Sequence, residues 1–124
     1  MKNLYNISVK RVSHYKIKEK KINFTKKDEM DSPKVILSKF WNYDSFRPLQ
    51  EEIIDSVLKG RDTLAILPTG GGKSICFQVP ALIMDGMCLV VSPLISLMKD
   101  QTETLKKKGI KALAIYSGMT RDEM

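Results

Sequence analysis

Thr63-Leu64-Ala65-Ile66-Leu67-Pro68-Thr69-Gly70-Gly71-Gly72-Lys73-Ser74 is the stretch on which the reading of this chain turns. Its first five residues form an apolar run of the kind found in a buried parallel strand. Pro68 and Thr69 then lead into three consecutive glycines, which let a main chain curl tightly with no Cβ in the way. From Lys73 onward the sequence can open a helix. Strand, glycine-rich turn and helix N-terminus together arrange backbone N–H groups around an anion, and the helix dipole adds attraction. Lys73 is then placed to reach the β- and γ-phosphates of a nucleoside triphosphate, and the Ser74 hydroxyl to hold Mg²⁺. A glycine-rich turn before a helix explains the glycines alone, but not Lys and Ser in that order after an apolar strand. The general pattern G-x-x-x-x-G-K-[ST] places Gly where this chain has Leu67, so a narrower class has to account for the departure.

Two flanking stretches define that class. Phe46-Arg47-Pro48-Leu49-Gln50 lies upstream, and Val90-Val91-Ser92-Pro93-Leu94-Ile95-Ser96-Leu97-Met98-Lys99-Asp100-Gln101 lies downstream. In this order and spacing the chain resembles the RecQ family of ATP-dependent DNA helicases, in superfamily 2, over about Val35 to Ser117. That family carries Pro-Thr-Gly-Gly-Gly-Lys-Ser and has Met or Leu at the position of Leu67. The resemblance implies a partial RecA-like P-loop NTPase domain of α/β class, with a parallel sheet flanked by helices. It also implies ATP and Mg²⁺ as cofactors and single-stranded or partly duplex DNA as partner. Coupling of ATP hydrolysis to 3′-to-5′ movement in recombination and repair follows from it too.

Each stretch also has a reading of its own. Pro48 suits the first position of a helix, Glu51 and Glu52 its acidic first turn, and Gly60 its end. Ile53, Ile54, Val57 and Leu58 form the apolar face. Gln50 then falls at the third helical position, where it can partner the helix start. The resemblance adds that its amide reads the adenine edge, that Arg47 lies against the base and that Tyr43 stacks on it. The nucleotide-binding set is therefore Tyr43, Arg47, Gln50, Pro68, Thr69, Gly70, Gly71, Gly72, Lys73 and Ser74, with Lys73 and Ser74 serving catalysis.

Downstream, Met87-Cys88-Leu89-Val90-Val91 reads as a second buried strand, broken by Ser92 and Pro93, which start a helix with Leu94, Leu97 and Met98 on its apolar face. Ser92 can cap that helix. By resemblance, Ser92, Pro93 and Leu94 lie beside the phosphate backbone of single-stranded DNA, a role suited to a hydroxyl and helix-start N–H groups. A lysine-rich helix end at Lys106-Lys107-Lys108 and a turn at Gly109 precede a third strand, Ala112-Leu113-Ala114-Ile115-Tyr116. Strands alternating with helices predict a parallel sheet with the nucleotide at its carboxyl ends.

Superfamily 2 ATPases need an apolar strand ending in Asp-Glu. Asp122-Glu123 follows Ser117-Gly118-Met119-Thr120-Arg121 instead and reads as the start of a solvated helix. The second RecA-like domain with its arginine finger, the zinc-binding region and the winged helix have no counterpart. On this expectation residues 34–124 are the N-terminal half of the first motor domain, which does not unwind DNA alone. A nucleotide- or DNA-binding module without catalysis, or a non-functional fragment, is the alternative.

The 124 residues, with 43% hydrophobic content, allow one modest domain with a core. The net charge is +7, and residues 1–33 hold nine Lys and Arg against four Asp and Glu. That head reads as a basic, disordered or mis-assigned extension, with Met30 as the authentic start ahead of the Asp31-Ser32-Pro33 helix opening. A DNA-binding basic arm is the other reading. No signal peptide or membrane-length apolar run is seen, so a cytoplasmic location and no membrane partner are expected; protein partners stay unspecified. Cys76 and Cys88 read as reduced core residues, and His14 has no ligand partners.

Overall fold

Among the described residues, four helices organise the structure: α1 (Pro33–Trp41), α2 (Gln50–Leu58), α3 (Lys73–Ile83) and α4 (Ile95–Lys107). The computed structural model describes residues 32–120. The basic head, the start at Met30 and the Asp122-Glu123 pair lie outside those described residues. The chain divides after Val90 into two compact units.

In the first unit each helix boundary has a local cause. Ser32 caps α1, its Oγ accepting from Val35 N at 3.4 Å, with Pro33 at the start and Asn42 ending it at φ 58°. These are the chemistries that favour a helix start and a left-handed stop. Helix α2 starts at Gln50, not at Pro48 as the sequence suggested, because Leu49 sits at φ 70° and cannot be helical. Gln50 is thus the first helical residue rather than the third. The helix ends in a Schellman motif around Gly60 (φ 73°), with Gly60 N donating to Val57 O and Arg61 N to Ser56 O.

Helix α3 is buried over six consecutive residues, Ile75 to Pro80. Burial on every face means that it runs through the middle of the unit rather than along its surface. Leu37, Ile54 and Val79 are at or below 1% exposure and join Ile36 and Ile75 in one core, with Phe40, Trp41 and Phe46 packed around it. All three helices contribute, so none can be removed without opening the core.

No β-ladder occurs among the described residues, so the expected parallel sheet is not seen in them. Two of the three strand candidates nevertheless keep a period of two. The segment 87–91, expected to be buried, does not, since Met87, Leu89, Val90 and Val91 are all exposed. Thr63, Ala65 and Leu67 are half-buried, while Leu64 and Ile66 between them are 69% and 65% exposed. The inner side chains line a void of about 30 Å³ together with Ile53, Val57 and Phe77 of α2 and α3. A helix closes its hydrogen bonds within its own segment, whereas a strand needs a neighbour about 4.8 Å away. Consecutive strands of a sheet are adjacent only about two-thirds of the time, so three in sequence need not pair with each other.

In the second unit, α4 starts at Ile95 with Leu94 as its N-cap residue and ends in a Schellman motif at Gly109 (φ 76°). Ala112, Ala114 and Tyr116 are half-buried in alternation with exposed Leu113 and Ile115, and Lys99 Nζ lies 4.7 Å from the Tyr116 ring centroid. No described residue of this unit is buried. No helix among the described residues is long and apolar enough to cross a membrane.

Cys76 is buried and Cys88 half-buried, both as free thiols. Burial pushes both thiols above the ordinary range, and for Cys76 a backbone hydrogen bond partly offsets this. A raised thiol pKa depletes the reactive thiolate at neutral pH. Iodoacetamide at pH 7 should therefore label both slowly, Cys88 first, with Cys76 reacting only on unfolding. Rapid labelling of native Cys76, read by peptide mass spectrometry, contradicts this.

Candidate functional site

The segment from Leu67 to Ser74 curls as its glycines predict. Gly71 N donates to Pro68 O at 2.9 Å, closing a turn in which Gly70 has φ 78°. Gly72 follows at φ 75° and is the N-cap residue of α3, with no side-chain cap. Both angles lie in the left-handed region that only glycine enters at little cost. Lys73 and Ser74 then occupy the first two helical positions, where backbone N–H groups have no intrahelical acceptor. Lys73 folds back over the loop, its Nζ donating to Leu67 O and Pro68 O, each at 3.1 Å.

Space around the glycines is as restrictive as their angles. A Cβ on Gly71 would meet Pro68 O at 2.8 Å, and one on Gly72 would run into the Gln50 amide nitrogen. This cradle exists only while both positions lack side chains, and it suits a polyphosphate lying close against the main chain. Gly72→Ala should therefore displace the Gln50 amide and impose about 1–3 kcal/mol of strain. Nucleotide affinity should fall at least about tenfold. Isothermal titration with ATP tests this, and undiminished affinity counts against the cradle.

The turn Arg47–Gln50 lies directly against the loop. Gln50 is 2% exposed, its Oε1 accepting from Arg47 N at 2.9 Å and its Nε2 donating to Gly72 O at 3.0 Å. Arg47 Nη1 donates to Gly70 O. Tyr43 is half-exposed and, with Asn42, Asp44, Ser45, Arg47, Gln50 and Gly72, lines a cleft of about 420 Å³. The structure thus brings Tyr43, Arg47, Gln50 and Gly72 of the expected set into one cleft. Pro68 and Thr69 are exposed on the loop, and Ser74 is half-buried behind Lys73.

Asn42, Asp44 and Ser45 escaped the sequence reading. The polar run before Phe46 was their only signal. The role of the Gly72 carbonyl was also illegible, since a backbone acceptor leaves no mark in composition. Besides Gln50 Nε2, it accepts from Ile75 N at 3.3 Å and from Cys76 Sγ at 3.8 Å.

Ser92, Pro93 and Leu94 belong to the second unit. Ser92 is half-buried and its Oγ accepts from Leu94 N at 3.4 Å, while Pro93 and Leu94 are exposed. Ser92 is not the helix cap, because α4 begins three residues later, at Ile95. The junction is a serine turn ahead of the helix rather than a direct break into it.

Comparison with known proteins agrees with this geometry. The DEAD/DEAH box helicase family model matches residues 47–124, from the Arg47 turn through the loop and α4. The ATP-dependent DNA helicase RecQ of Synechocystis sp. is 52% identical over 87 residues, covering 70% of this chain and 18% of the relative. The probable ATP-dependent DNA helicase RecS of Bacillus subtilis is 52% identical over 88 residues, again 70% of this chain and 18% of the relative. A putative ATP-dependent RNA helicase of Acanthamoeba polyphaga mimivirus is 49% identical over 86 residues, 69% of this chain and 16% of the relative. The chain thus spans less than a fifth of the length of these relatives. With the loop, its lysine and the Gln50 turn in place, the chain belongs to the DEAD/DEAH box helicase family, on its RecQ branch.

Proposed function

We propose that this chain is the nucleotide-binding front of the first motor domain of a RecQ-type helicase, which couples ATP hydrolysis to 3′-to-5′ movement along DNA in recombination and repair. One observation carries the proposal: a triple-glycine loop with two left-handed glycines, capped by Lys73 and tied by hydrogen bonds to Arg47 and Gln50. The loop and the N-terminus of α3 bind the triphosphate, Lys73 reaches its β- and γ-phosphates, and Ser74 holds Mg²⁺. Bound Mg²⁺ neutralises charge on the phosphate oxygens.

Gln50 can read adenine while keeping its protein contacts. Its amide has two N–H donors and two acceptor lone pairs, and the protein uses one of each. The remaining donor and acceptor match the N7 acceptor and N6 donor of adenine. Arg47 and Tyr43 line the same cleft and supply a cation and a ring for the base. Ser92, Pro93 and Leu94 meet the phosphate backbone of single-stranded or partly duplex DNA, and the protein acts in the cytoplasm. The half-buried alternation at 63–67 and 112–116 supports strand identity for these segments in a parallel RecA-like sheet.

A module that binds nucleotide without turnover is the second reading. Purified intact protein separates the two. ATP hydrolysis stimulated by single-stranded DNA supports the motor, whereas ATP binding without turnover supports the module. Stimulation by RNA but not DNA would shift the substrate to RNA.

A further inference from the structure

We infer that the turn Arg47–Gln50 is a strap that holds the phosphate loop in its curl, making Arg47 and Gln50 positioning residues for phosphate binding whether or not a base is present. The inference rests on the nucleotide reading above and adds a function for the turn that adenine recognition does not require.

The turn is closed twice. Gln50 N donates to Arg47 O at 3.1 Å, and Arg47 N donates to Gln50 Oε1 at 2.9 Å. From this clamp one side chain reaches each left-handed glycine of the loop, Arg47 Nη1 to Gly70 O and Gln50 Nε2 to Gly72 O. A trans peptide is planar, so its C=O and the following N–H point in opposite directions. Anchoring Gly72 O on Gln50 therefore turns the Lys73 N–H away from Gln50, at the start of α3. Anchoring Gly70 O on Arg47 likewise sets the Gly71 N–H, which donates to Pro68 O. The strap thus governs the direction of the loop's peptide dipoles without any contact to a ligand.

Its own shape depends on Leu49. Pro48 and Leu49 are the central residues of the turn, and Leu49 at φ 70°, ψ −18° occupies the position that a type II turn reserves for glycine. The Leu49 side chain is 53% exposed, so packing does not explain its backbone. Gln50 is buried at the head of α2, and Ile54 one turn later lies in the core, which gives the strap a rigid post.

Inorganic tripolyphosphate tests this, because it has no base to read. Its binding to the intact protein is measured by calorimetry beside that of ATP, with circular dichroism to confirm folding. Gln50→Ala should weaken tripolyphosphate about tenfold, in parallel with ATP. Arg47→Ala should weaken both as well, but it also removes a positive charge, so the neutral variants decide. Leu49→Val, which alters no group touching the loop, should weaken both because a β-branched residue resists φ > 0. Leu49→Gly should bind like the wild type. Loss of ATP affinity with unchanged tripolyphosphate affinity in Gln50→Ala and Leu49→Val overturns the strap and leaves only base reading. A wild type that binds neither ligand overturns the nucleotide reading itself, and the strap with it.

Discussion

Lys73→Ala should lower ATP hydrolysis by the intact protein by about a hundredfold or more, the scale on which a preorganised charge is lost from a transferring phosphoryl group. In the structure the lysine is placed by the loop it serves. Nζ rests on the carbonyls of Leu67 and Pro68, and its backbone opens α3 immediately after Gly72. On the proposed reading, a compact ammonium fixed there meets charge as it develops on the phosphate oxygens. Alanine keeps the helix start but removes the charge and the two hydrogen bonds to Leu67 O and Pro68 O, so circular dichroism should change little while melting falls modestly. Lys73→Arg should recover little activity, since a planar fork does not reproduce a point charge at the mouth of a tight loop. Hydrolysis within a factor of a few of wild type in Lys73→Ala would remove the loop from the mechanism.

Leu37→Ala should be the most damaging core substitution, costing about 2–5 kcal/mol. Leu37 is fully buried and belongs to the cluster that joins α1 to α3 through Ile75 and Val79. A cavity there loosens the contact that seats α3, and with it the phosphate loop that α3 begins. Leu113→Ala, at a side chain 83% exposed, should cost less than about 0.5 kcal/mol. Urea denaturation of both variants checks the contrast. Similar costs at the two positions would mean that the core is not organised around α1 and α3.

The same contrast bears on how far the site could be read in advance. The loop was legible because glycine φ angles, a helix-start lysine and its neighbouring serine are local requirements written into consecutive residues. Ser32-Pro33 and Gly60 marked helix ends for the same reason. Pro48 misled, since proline at a helix start and proline at the second position of a turn look alike until the next residue's φ is known. Leu49 at φ 70° decides between them, and nothing in leucine announces that angle. The reading of Ser92 as a cap failed similarly, by two residues, since Leu94 is the N-cap residue.

From the sequence alone came the phosphate loop, its lysine, the family pattern and the alternation of apolar segments, because each depends on contacts within a few residues. Tertiary structure alone decided that Gln50 and Arg47 fasten two loop carbonyls from more than twenty residues away. It also decided that α3 is buried on every face, and that the segments at 63–67 and 112–116 keep their alternation without forming a ladder. Helices and turns satisfy their own hydrogen bonds, whereas a strap and a sheet need partners distant in sequence, whose positions only the folded chain supplies.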